Sequence, residues 1–371
     1  MGAGESFSHL ESKIRPNLKR FMSANVFVAM YSLARNPMLS LLAKERPVLE
    51  IPSFPVKFGD LNFRNDLGNA AGYDKNGELL PLSYLMGAGF AVVGTVLITP
   101  HKGDSLNSLI KVNPWTPLPH SNGAINTLGL PSKGVDKVIK NITRFREEYQ
   151  PLDFPIGASI MGHPKQEGEE KLRGTIECFK KILPYIDFIE MNESCPNVDH
   201  DENENILEHR LGQIIYKRDA YQSRTGKKIP LFIKLGSFGN LEHTVKFMTK
   251  MGIDGLVGLN TQKNYCGLRK LINQKDYDLF DYYIKNHEGG VSGKPIRDSS
   301  YNEIQGTAQE IRRQDSPLKL VHVGGIRTQE DMKKSRKIGE PVILREWYTG
   351  MMENMATKSF NKVYKKIVNP N

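Results

Sequence analysis

The sequence predicts an α/β protein built as a closed (β/α)8 TIM barrel, with an N-terminal helical extension and a short β-hairpin. Three observations lead to it. Eight apolar runs of strand length alternate with helix-length stretches from residue 67 to residue 367. That alternation calls for parallel strands covered by helices. No G-x-G-x-x-G turn follows the first strand, as an open dinucleotide-binding sheet would require. At 371 residues the chain is long enough for one large barrel plus an extension.

In chain order, residues 1–50 read as the extension and 51–371 as the barrel domain. The apolar stretch 24–43 carries Arg35, Asn36 and Pro37 in its middle, which predicts two short helices broken at the proline. Residues 55–66 predict a hairpin turning at Gly59-Asp60. Strands are expected at 67–71, 90–96, 156–161, 187–192, 231–236, 255–260, 319–325 and 341–347. Helices are expected at 77–88, 133–149, 164–184, 204–222, 240–252, 300–314, 328–338 and 348–367. Residues 261–296 form a long connection after the sixth strand, and such connections usually carry extra structure or function.

The net charge of +10 is spread along the whole chain, with no Arg-rich block interleaved with aromatics. That argues against nucleic acid and for an anionic small ligand. The three cysteines, Cys178, Cys195 and Cys266, are too sparse for a disulfide framework and point to a reducing compartment. The cytoplasm is the expected location, with a mitochondrial or membrane-surface residence as the alternative. The nine histidines show no zinc-like spacing, so no metal is expected. No apolar run is long enough for a membrane span. Met1-Gly2 followed by Ser6 fits the loose N-myristoylation pattern, and Lys13, Arg15, Lys19 and Arg20 would add weak attraction to an anionic membrane surface.

Barrel enzymes bind ligands where the strands end. The predicted strand ends offer Gly72 and Lys75, Thr95, Ser159, Asn192 with Cys195 and Asn197, Lys234, Asn260-Thr261, Gly324-Gly325 and Tyr348-Thr349. Asn126 falls on the long loop after the second strand. Asparagines offer a donor and an acceptor together, which suits the imide edge of a flavin or a pyrimidine. Two lysines can offset negative charge on such a ring or on a carboxylate. Bare backbone at Gly324-Gly325, just before a helix, lets a phosphate reach amide donors. The segment Asn192 to Asn197 sets Cys195 in a polar strand-end loop, where a thiolate can act as a general base. A small buried hydrophobe is the other reading of that cysteine.

From about residue 50 to 355 these landmarks resemble the dihydroorotate dehydrogenases. Leu67 to Gly77 is similar to the family's first flavin loop, and Gly94-Thr95-Val96 to its second strand end. Ala124-Ile125-Asn126 with Leu128-Gly129-Leu130-Pro131 is similar to its substrate-side segment, and Asn192 to Asn197 to its catalytic loop. Lys234, Asn260-Thr261, Gly290 to Pro295, Val323-Gly324-Gly325 and Tyr348-Thr349 complete the series.

The resemblance implies FMN held by Ala71, Gly72, Lys75, Thr95, Asn126, Ser159, Asn192, Lys234, Ser292, Gly293, Gly324, Gly325, Tyr348 and Thr349. It implies dihydroorotate or orotate held by Asn126, Gly129, Leu130, Asn192, Asn197, Asn260 and Thr261. Cys195 and Lys75 are the implied catalytic residues, with Cys195 removing a proton from ring carbon 5 while carbon 6 passes hydride to flavin N5. The cysteine resembles the soluble class 1 enzymes. Tyr73 to Glu78 and the apolar extension look more like the membrane-linked, quinone-using class 2. The implied acceptor is therefore fumarate or quinone, and a homodimer is left open. Residues 103–108 lack the arginine that the family often carries after the second strand. This departure keeps two alternatives in view: an FMN enzyme acting on another dihydropyrimidine or an enone-like compound, and a flavin-free, phosphate-binding barrel lyase or isomerase using Lys75 and Lys234.

Overall fold

A computed structural model describes residues 2–151, 153–193 and 204–369. Cys195 and Asn197 lie outside the described residues. The chain opens with helices α1 (Ala3–Phe21) and α2 (Ala24–Leu42), followed by the hairpin strands β1 (Val56–Phe58) and β2 (Leu61–Phe63). Then come β3 (Leu67–Asp74), β4 (Ala91–Val96), β5 (Trp115–Leu118), β6 (Gly123–Asn126), β7 (Ile156–Ile160) and β8 (Phe188–Asn192). The last five are β9 (Leu231–Leu235), β10 (Gly255–Gly258), β11 (Gly290–Gly293), β12 (Lys319–Val323) and β13 (Val342–Trp347).

Eight of these close into a parallel barrel, in the order β3, β4, β7, β8, β9, β10, β12, β13 and back to β3. They are the eight apolar runs read from the sequence. Their continuous hydrophobicity follows from burial on both faces, the barrel lumen inside and the helical ring outside. Between them, helices such as Val135–Tyr149, Gly168–Ile182 and Arg297–Arg313 lay apolar stripes on the outer wall. The lower end of the lumen is packed with aromatic rings. Phe90, Phe188 and Phe232 meet Phe63 and Phe58 from the hairpin, with ring centroids 5.6–6.5 Å apart. The β1–β2 hairpin thus plugs the bottom, and the open mouth lies at the strands' C-terminal ends.

Two features depart from the sequence expectations near that mouth. Asn126 sits on a strand, because β5, β6 and β11 form a three-stranded antiparallel sheet. Its β11 comes from the long 261–296 connection, so the pairing joins segments about 165 residues apart and no local pattern announces it. Residues 348–367 form no single helix. Thr349–Met355 is followed by short turns at Phe360–Lys362 and Lys365–Val368, and the Phe360 N–H donates to Glu5 Oε1 of α1.

The proline at 37 breaks nothing. Helix α2 runs through it, and the chain bends instead at Met22-Ser23, both in extended conformation. Pro37 denies a hydrogen bond to the Leu33 carbonyl, but Leu33 is half exposed and water can take that place. Packing holds the rest of the helix: Phe27, Val28 and Tyr31 bury against Leu118, Ile125, Phe280 and Tyr283 in a second core. No described helix is long and apolar enough to cross a membrane.

Candidate active site

The turns that leave the strands decide what reaches the mouth. Asp74 closes the first one: its Oδ2 accepts the Leu79 N–H at 2.9 Å, which leaves Lys75 at the cavity edge. Gly72 has φ +99°, and a Cβ there would meet only the Tyr348 ring, at 3.9 Å, so its backbone borders open cavity. Gly324 (φ +119°) and Gly325 (φ +77°) need glycine twice over, because added Cβ atoms would collide with Ser300 and Arg297 of the helix crossing above.

One cavity gathers Ala71, Gly72, Lys75, Thr95, Asn126, Leu130, Asn192, Lys234, Asn260, Thr261, Ser292, Gly293, Gly324, Gly325, Tyr348 and Thr349. Sixteen positions predicted from scattered segments therefore share one wall. A polar chain crosses it: Asn192 Nδ2 donates to Thr95 Oγ1 at 2.9 Å, and Asn260 Nδ2 lies 3.4 Å from Asn192 Oδ1. Opposite, the Ser292 and Thr349 hydroxyls are bonded at 2.8 Å. Leu130 holds a left-handed backbone, φ 55°, unusual for a branched residue and consistent with a fixed place in a binding wall.

Two predicted residues do not line this cavity. Gly129 turns away, with φ +61°, and a Cβ there would strike the Asp104 carboxyl. Ser159 is fully buried in the lumen, one layer below the mouth, and its Oγ has no hydrogen-bond partner.

Several lining residues escaped sequence reading. Glu346 reaches the floor from β13, and Lys234 Nζ lies 3.4 Å from both its Oε2 and Glu190 Oε1. Period-two alternation in the run 187–192 puts Glu190 on the same face as Asn192, a signal present but unused. Burial works against the Lys234 ammonium, yet the two carboxylates hold it above its ordinary range. The Glu346 carboxyl is pushed upward, first by burial and then by the Glu190 charge.

The cavity extends outward between the barrel and the N-terminal helices, past Ser8, Glu11, Arg15, Tyr31, Arg35 and Met38. There Arg15 grips Glu11 at 2.6 Å and Glu353 at 2.9 Å, and the Tyr31 hydroxyl donates to Glu11 at 2.5 Å. Arg35 is only 3% exposed, its Nε has no partner, and no carboxylate faces it among the described residues.

The sequence pattern described as dihydroorotate dehydrogenase matches residues 53–369. The chain belongs to the dihydroorotate dehydrogenase family. Among curated relatives, the dihydroorotate dehydrogenase (quinone) of Shewanella sp. (strain W3-18-1) is 29% identical over 283 residues, 75% of this chain and 76% of that protein. The enzyme of the same name from Stenotrophomonas maltophilia (strain K279a) is 26% identical over 349 residues, 87% of this chain and 92% of that one. A crystal structure of Eimeria tenella DHODH in complex with ferulenol superposes with a TM-score of 0.75 at 22% identity, covering 90% of this chain and 89% of that one. It shares the barrel architecture.

Dihydroorotate dehydrogenases are flavin-dependent oxidoreductases that use FMN. The cavity fits that group. It offers bare glycine backbone at Gly72, Gly324 and Gly325, a buried ammonium at Lys234, and amide side chains at Asn126 and Asn192.

Proposed function

We propose that the chain oxidises dihydroorotate to orotate on FMN and passes the electrons to a quinone. The observation that carries this reading is the convergence of Lys75, Thr95, Asn126, Asn192, Lys234 and Asn260 on one cavity at the barrel mouth. FMN supplies the two-electron acceptor for ring carbon 6. The chain does the rest. Amides of Asn126, Asn192 and Asn260 orient the pyrimidine through paired donors and acceptors. Lys75 and Lys234 place positive charge beside the ring system. Cys195, three residues beyond the end of β8 in the sequence, takes the proton from ring carbon 5. Gly324, Gly325 and Thr349 provide backbone amides for a phosphate.

The outward arm of the cavity is the route for the acceptor. Arg35 supports it: a buried guanidinium with no carboxylate in ion-pair distance among the described residues suits an oxygen-bearing partner. The outer face of α1 supports a membrane surface as the quinone's source. Phe7, Leu10, Ile14 and Phe21 are all exposed, at helical spacings of 3, 4 and 7, beside exposed Lys13 and Arg20. In this reading residues 1–50 are a functional extension and 51–371 the catalytic domain.

Anaerobic mixing of the FMN-loaded protein with dihydroorotate tests the proposal. Flavin absorbance should bleach, and a decylquinone-type acceptor should restore it. Loaded protein that keeps its colour with dihydroorotate overturns the substrate assignment. Bleaching with other dihydropyrimidines or enone-like compounds in its place would support the alternative substrate class.

A further inference from the structure

The barrel lumen holds three charges in one layer. Glu190 on β8, Lys234 on β9 and Glu346 on β13 are each at most 5% exposed, and Lys234 Nζ lies 3.4 Å from both carboxyl groups. Alternation places this layer between two others. Below are the rings of Phe188 and Phe232, and above is Asn192 at the cavity floor. The aromatic plug shuts off water from beneath, so the layer communicates with solvent through the cavity alone.

Counting charge, two carboxylates against one ammonium leave a net charge of −1 in a dry lumen. Such an excess is too costly to keep, and a group in that position takes up a proton instead. Among the described residues, Glu190 and Lys234 are the charges that act on Glu346, and the two glutamates are carboxyl partners of Lys234. Ser159, the register partner of Glu190 on the neighbouring strand, has an unbonded hydroxyl, and both Glu190 oxygens lack a well-formed hydrogen bond.

We propose that the Glu190–Glu346 pair holds one proton in the resting protein and takes up a second when negative charge arrives above Lys234. At rest the layer is neutral: one carboxylate, one carboxylic acid, one ammonium. Added negative charge in the cavity makes the remaining carboxylate costly, and it forms an O–H bond with a proton drawn from solvent. The layer then carries +1, opposite the new charge. Its glutamates are thus positioning residues that act through Lys234 and set how far reduction of the cofactor depends on pH. Burial and the mutual repulsion of the two glutamates, which raise the Glu346 carboxyl, agree with this geometry. The idea rests on the FMN reading above only for its redox half.

Two measurements test it. Infrared spectra of the flavin-free protein in D2O at neutral pH should show a carboxylic acid C=O band, lost in both Glu346→Gln and Glu190→Gln. A spectrum without that band, or a band unchanged in both variants, overturns the resting proton whatever the cofactor. Spectroelectrochemical titration of FMN-loaded protein from pH 6 to 9 reads the second proton. The wild type should show a pH dependence steeper than the Glu190→Gln/Glu346→Gln double variant, which has no carboxylate left to protonate, by up to one proton per two electrons. That is tenfold in the equilibrium per pH unit, or about 30 mV for a two-electron couple. Equal slopes in the two proteins overturn the proton uptake. Protein that takes up no FMN would sink the cofactor reading while leaving the infrared result intact.

Discussion

Arg35 Nη2 of helix α2 lies 3.5 Å from the Tyr348 hydroxyl at the end of β13, so a guanidinium from the N-terminal extension reaches into the cavity at the barrel mouth. The loop at 103–108, where the family often carries an arginine, has none.

Arg35→Gln should therefore lower quinone-linked kcat/KM by about 10–100-fold, the worth of a charge-assisted hydrogen bond of about 1.5–3 kcal/mol. The rate of flavin bleaching by dihydroorotate should fall far less. Steady-state assays with quinone, set beside single-turnover bleaching, separate the two half-reactions. Equal losses in both would assign Arg35 to the substrate side or to folding.

Cys195→Ser should slow bleaching at neutral pH by at least about 100-fold and recover in part at alkaline pH, because a serine hydroxyl is much harder to deprotonate than a thiol. Stopped-flow rates across pH decide it. A flat profile at wild-type rates would remove Cys195 from the role of base.

Asp66 should matter to stability alone. It is fully buried, accepts from Arg336 at 2.6 and 2.8 Å, and pairs with Arg345 at 3.0 Å, so it ties β13 to the helix before it. Asp66→Asn leaves two guanidiniums with an uncharged partner. The expected loss is about 3–5 kcal/mol by denaturant unfolding.

His322 gives the acid limb of stability. It is buried, bonded through Nδ1 to the Ser335 hydroxyl at 2.8 Å, and pushed down from 6.5 to about 3 by burial and then by the Arg345 and Lys334 charges. Its folded-state value lies below its unfolded one, so the unfolded chain binds the proton first. The contribution is complete above about pH 6.5 and is lost as the pH falls toward about 3, at about 1.4 kcal/mol per unit. Thermal melts of His322→Gln should start lower at neutral pH but decline less steeply in acid. Parallel curves would refute the assignment.

Leu10→Glu with Phe21→Glu on the exposed face of α1 should weaken binding to anionic vesicles by at least about tenfold, through lost apolar insertion and added repulsion. Flotation assays measure it. Unchanged flotation would leave that face to plain solvent.

The sequence by itself determined the barrel. Strands buried on both faces must be apolar throughout, so all eight announced themselves, and the hairpin turned at Gly59-Asp60 as read. Strand-end polarity likewise marked the mouth, since a side chain at a strand's end has nowhere else to point. Tertiary structure alone decided what joined across long distances. The β5–β6–β11 sheet, the course of α2 through Pro37, and the hydrogen bond from the Phe360 N–H to Glu5 depend on partners far along the chain. So does the charged layer of Glu190, Lys234 and Glu346, because a glutamate in an apolar run reveals its ammonium partner only when the ring of strands closes.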